Sequence, residues 1–147
     1  MTAYNSSNTN RLIKASSDTV RVMSEVVDFS STTNAASDTF DVIGIPANSM
    51  VIAAGCDVLT ADSAGNSGTL AVGDSSGAAV FVAAAAPTST GQMTIVDDSK
   101  AYSSGDDIRL TVATGAINAK VRVWATMISL DKAGSDADTD SQSVTFS

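Results

Sequence analysis

At 147 residues the chain is long enough to build one domain with its own core, without needing a disulfide or a metal. Its net charge is −8, and the basic residues are scattered from Arg11 to Lys132, which argues against nucleic-acid binding, where phosphate contacts need clustered Lys and Arg. Histidine is absent, which removes Ser-His-Asp and Cys-His catalysis and the common zinc sites.

Glu25 is the only glutamate among 16 acidic residues. Helical surfaces use Glu and Lys freely, whereas aspartate favours turns and caps. With Ser, Thr and Gly making up much of the remainder, the composition predicts an all-β chain. Residues 1–17 hold little to bury and read as a flexible polar N-terminal arm. They contain no apolar core of a secretory signal, and no run reaches the roughly 18 apolar residues of a spanning helix. A soluble protein made in a cytoplasm is expected, with no membrane partner.

Residues 18–130 carry the strand pattern of a β-sandwich domain. Thr19–Phe29 places Val20 and Val22 on one face and Met23, Val27 and Phe29 on the other, and the switch near Ser24 predicts a bulge or bend; a helix is the alternative, which the β-branched valines disfavour. Phe40–Thr60 reads as a hairpin, two strands joined by a tight turn. Pro46 ends the first strand because it cannot donate to a ladder, and Asn48 tolerates a left-handed backbone. Met50, Ile52, Ala54, Cys56 and Val58 then recur at a spacing of two, which predicts one shared face.

Further along, Leu70 with Val72, Val80 with Val82, and Met93 with Ile95 mark three short strands. The loop 97–107 follows, with Tyr102 as an anchoring side chain. Ile108, Leu110 and Val112 alternate with Arg109 and Thr111. Lys120–Leu130 is the longest strand, with Val121, Val123, Ala125 and Met127 on one face and Trp124 and Ile128 on the other; bulk on both faces predicts contact with a partner. Residues 131–147 form an acidic C-terminal tail ending in Val144-Thr145-Phe146. About eight strands at intervals of roughly ten residues predict an antiparallel sandwich of jelly-roll type.

Recognisable site chemistry is sparse. Cys56 shares the Ile52 and Val58 row and reads as a small core residue rather than a reactive thiol. Asp97-Asp98 and Asp106-Asp107 are paired carboxylates beside a Ser/Gly-rich loop, and solvated turn caps fit them better than glycosidase acids in a chain with 5% aromatic residues. Asp136, Asp138 and Asp140 have the spacing that opens a calcium loop, but Ser141 and Ser147 stand where the loop glycine and the twelfth-position glutamate belong. Trp124 is the lone candidate for stacking on a sugar, and core or interface packing is the plainer reading. No catalytic residue, cofactor or metal site is expected.

The run Ile45-Pro46-Ala47-Asn48-Ser49-x-Val51, then Val58–Ala61 and Thr69–Asp74, and later Asp107–Val112 with Val121–Val123, resembles small β-rich structural proteins of tailed bacteriophage virions. The resemblance covers roughly residues 40–130. It implies a non-enzymatic capsid decoration (cement) protein, often trimeric, that binds the major capsid protein on the outside of the shell. The alternative it leaves open is a tail or fibre module that binds a receptor or carbohydrate. It supplies no functional residue.

Overall fold

The computed structural model describes residues 20–63, 66–96 and 99–130. These form nine strands: β1 (Arg21–Asp28), β2 (Thr39–Ile45), β3 (Ser49–Thr60), β4 (Thr69–Asp74), β5 (Gly77–Ala85), β6 (Gly91–Gln92), β7 (Lys100–Tyr102), β8 (Asp106–Thr114) and β9 (Lys120–Ser129). One 3-10 turn, Phe29–Ser31, follows β1 and is capped by the Asp28 carboxylate.

The strands pair from the chain ends inward. β1 lies against β9, β2 against β8, β3 against β6 and β7, and β4 against β5, all antiparallel. Contacts of β9 with β3 and of β8 with β4 join these pairs into two sheets, ordered β1-β9-β3-β6 (with β7 also on β3) and β2-β8-β4-β5. This nesting is a jelly roll. It agrees with the expected all-β sandwich, with the edge next to β3 split into two short pieces.

The inner rows expected from alternation are in place. Ile108, Leu110 and Val112 of β8 face Val121, Val123, Ala125 and Met127 of β9 across the core. Phe29 meets Phe40 edge to face, with ring centroids 5.3 Å apart, and closes one side of the sandwich. Tyr102 is buried as the expected anchor, although it sits on a short strand rather than in a loop. Phe81 and Val82 are both fully buried while Val80 is only partly so, because the β4–β5 register shifts twice.

Three expectations are corrected. The segments around Pro46 do not form a hairpin: β2 lies in one sheet and β3 in the other. Pro46 withdraws a ladder donor, Asn48 adopts φ 56°, and Ser49 Oγ donates to the Pro46 carbonyl, so the chain turns out of one sheet and into the next. In β3 the register shifts between Val51 and Ala53. One extra residue at Ile52 reverses the parity, so Val51, Ala54, Cys56 and Val58 point inward while Met50 and Ile52 stay half-exposed. In β1 no bulge occurs; Arg21 to Asp28 pair with Met127 to Lys120 without a break.

One buried polar cluster links the sheets. Asp74, at the end of β4, accepts hydrogen bonds from Lys100 Nζ (2.6 Å) and Tyr102 Oη (2.5 Å) of β7 and from the Ser76 amide and hydroxyl. Among the described residues, no buried side-chain polar atom lacks a partner. Burial alone would raise the Asp74 carboxyl, but the donors from Lys100, Ser76 and Tyr102 outweigh it and hold the group far below the usual carboxylate range. Burial, and then the bond to Asp74, push the Tyr102 phenol well above its ordinary value.

Asp74→Ala, which strands the Tyr102 hydroxyl, is expected to cost roughly 3 kcal/mol in denaturant unfolding, and Tyr102→Phe about 1.5 kcal/mol. Because the Asp74 value is lowered by folding, its contribution is complete above the ordinary carboxylate value of about 3.9 and is lost as pH falls through the folded value. Because the Tyr102 value is raised, its contribution is complete below about pH 10 and is lost as pH rises beyond it. Asp74→Ala should therefore flatten the acid limb of the stability–pH curve, and Tyr102→Phe the alkaline limb.

Candidate interaction surface

Among the described residues, Cys56, Trp124 and the Asp106-Asp107 pair, which were singled out for chemistry, do not share one site. Cys56 is fully buried, and burial, with Asp57 next in the chain, pushes its thiol up to about 12, so it is inert. Asp106 and Asp107 begin β8. Asp106 accepts from Ser75 Oγ at 2.7 Å and from the Asp107 amide at 2.8 Å, which are capping contacts. Both residues border a depression of 510 Å³ with Gly44, Ile45, Pro46 and Gly105, which is wide open to solvent. A dish this open to solvent does not exclude water from the two carboxylates. Asp97, Asp98, Asp136, Asp138 and Asp140 lie outside the described residues. Among the described residues, no group of three His, Cys, Asp or Glu side chains is placed to hold a metal.

Trp124 is on the outer face of the five-stranded sheet, directly opposite Gly55 of β3. A Cβ built at Gly55 would fall 2.5 Å from Trp124 Cζ2 and 2.7 Å from Cε2. The indole therefore lies across the bare glycine backbone, which occupies part of the ring and leaves the rest half-exposed. This cross-strand pair needs glycine for close approach rather than for an unusual backbone angle.

The unusual surface is β1. Its outer row, Val22, Ser24 and Val26, continues the row of Thr126, Trp124 and Arg122 on β9. Its inner row, Arg21, Met23, Glu25 and Val27, aligns with buried β9 residues but is covered only at its Val27 end. Among the described residues, both faces of the strand are thus largely uncovered. Of the large apolar residues left exposed among the described residues, four (Val20, Val22, Met23, Val26) lie on or next to this strand, and Leu130 leaves β9 beside it. Val22 is 72% exposed. Single exposed apolar residues are ordinary, but a cluster on an edge strand, with one backbone edge unpaired among the described residues, marks an interaction surface. Apolar residues on both faces of this segment fit a bulge or bend on the sequence alone; the same pattern is also the signal of an edge strand that meets a partner.

At the far end of β1, Asp28 is held below the usual carboxylate range, chiefly by the Ser30 hydroxyl and amide, and pairs loosely with Lys120 at 3.4 Å. Across β2 and β8, Arg109 and Asp41 stand opposite one another with a contact of 2.6 Å, which raises the guanidinium value further. Both are solvent-facing pairs that fix side chains rather than build a site.

Gly55→Ala is expected to push the indole off the sheet, at a cost of about 1–2 kcal/mol from overpacking. Because Trp124 is the only tryptophan, its fluorescence reports this directly. The emission should move to longer wavelength while the far-ultraviolet circular dichroism stays that of a β protein.

No family model and no curated protein matches the sequence. Among solved structures, the fold is similar to a chain in the acidic stable capsid structure of Helicobacter pylori bacteriophage KHP30, with TM-score 0.61, 11% identity, and coverage of 76% of this chain and 89% of that one. It is similar to a chain in the capsid of Ralstonia phage GP4, with TM-score 0.59, 18% identity, and coverage of 76% and 84%. It is also similar to a chain in the cyanophage Pam1 capsid asymmetric unit, with TM-score 0.57, 22% identity, and coverage of 75% and 84%. The likeness is one of fold, and it spans most of the chain on both sides: the sandwich described above is an architecture found in phage capsid structures.

Proposed function

We propose that the chain is a non-enzymatic structural component of a phage virion, and more specifically a decoration (cement) protein. In this reading it binds the outer surface of the major capsid shell as a homotrimer and stabilises it. The observation that carries the proposal is the shared fold with chains from three phage capsid structures, over 75–76% of this chain. The surface is consistent with it. A shell component needs a rigid body and exposed apolar contact area, and β1 offers that area on a two-layer core. The acidic balance of −8 discourages nonspecific adhesion of a particle coated with many copies.

Under this proposal residues 1–17 and 131–147 reach neighbouring subunits. Ordering an arm costs about 1–2 kcal/mol per residue in backbone entropy, and attachment of several arms from one oligomer offsets that cost through effective concentration. The full chain is expected to bind purified empty shells at saturating, countable occupancy. Removing residues 1–17 should leave the thermal unfolding transition within a few degrees and lower shell occupancy, measured by densitometry of gradient-purified particles. Equal occupancy would remove the arm from the account, and no binding of the full chain to shells would remove the decoration role.

A further inference from the structure

Among the described residues nothing pairs with the outer edge of β1, and it lacks three of the devices that usually keep sheet edges apart. Arg21–Asp28 contains no proline and no lysine, and its register against β9 is unbroken. Apolar side chains are exposed on both of its faces, Val22 and Val26 on one and Met23 on the other. Arg21 and Glu25 share a row, are exposed, and have no ion-pair partner among the described residues.

These residues are complementary to themselves. When two copies of a strand meet antiparallel about a two-fold axis normal to the sheet, facing residues come from the same row. An axis through Met23 sets Arg21 opposite Glu25 of the second copy twice, Val20 opposite Val26 twice, and Met23 opposite itself. An axis through Ser24 sets Met23 against Glu25 and Arg21 against Val27, which leaves both charges unmatched. An axis through Glu25 sets two carboxylates face to face, which is destabilising. Only the first arrangement matches charge with charge and apolar with apolar.

We propose that β1 pairs antiparallel with β1 of a second copy, centred on Met23, so that the five-stranded sheet runs continuously from one copy into the next. The contact is isologous and uses the free backbone groups of the edge, with the two Arg21–Glu25 pairs fixing its register. It does not depend on binding to a shell, and in a larger assembly it would join neighbouring oligomers edge to edge.

The full-length Met23→Cys variant tests this in solution. Directly opposed residues in antiparallel strands have Cα atoms about 4.5–5.5 Å apart, within disulfide reach. The only native cysteine, Cys56, is buried and does not compete. Mild oxidation should give a covalent dimer on a denaturing gel, roughly 10-fold faster than Val22→Cys or Ser24→Cys, whose partners in this register are not themselves. Independently, Glu25→Arg and Arg21→Glu should each weaken self-association by roughly 10-fold in sedimentation equilibrium, and the double variant should restore it, with circular dichroism unchanged throughout. Faster cross-linking at Val22 or Ser24, a double charge exchange that recovers nothing, or cross-linking seen only when a capsid protein is added would each overturn the proposal.

Discussion

The pairing of the first strand with the last is the constraint from which the rest follows. β1 and β9 lie against each other over Arg21–Asp28 and Met127–Lys120, and this closes the roll that brings β2 to β8 and β4 to β5. Such contacts join residues about a hundred positions apart, so loop closure precedes the gain from packing and folding is expected to be slow relative to helical domains. Among the described residues, the same arrangement leaves β1 with a neighbour on one side only. The element that completes the fold is therefore also the one that presents an open edge, and stability and assembly share a strand.

The two sheets are joined by unlike means. At one side Phe29 and Phe40 supply apolar area. At another, Asp74 of one sheet gathers Lys100 and Tyr102 of the other into a largely buried cluster, and among the described residues no buried side-chain polar atom is left unsatisfied. Such a cluster is weak evidence of stability gained over an apolar alternative, but it is specific, because only one alignment of the sheets satisfies it. Between these points the corner at Pro46–Asn48 carries the chain from sheet to sheet. A sandwich locked in this way is a stiff body, suited to presenting a surface whose geometry must repeat in every copy.

Much of this was legible in the sequence, and the misses have physical reasons. The central strands β8 and β9 have one covered face each, so Ile108, Leu110, Val112 and Val121 through Met127 announce themselves by alternation. Asn48 was readable as a left-handed corner, but a hairpin and a sheet-to-sheet corner use the same turn residues; what separates them is the partner of each strand, which is a long-range fact. The bulge at Ile52 leaves no compositional mark, since no glycine accompanies it, yet it moves Met50 and Ile52 to the surface. Lys100–Tyr102 is too short to show any period. The lack of histidine is plain from composition alone, whereas an interaction surface depends on which apolar residues remain uncovered, and that is decided only by the fold.

The account treats the molecule as a building element whose function lies in its edge and faces. A near-atomic reconstruction of the virion that carries this chain tests that most directly. The account predicts density for the jelly roll on the outside of the shell, with the β1 edge and the Trp124 face of its sheet against protein. Density for the jelly roll away from the outer surface of the shell, or a β1 edge that stands bare in solvent, would contradict it.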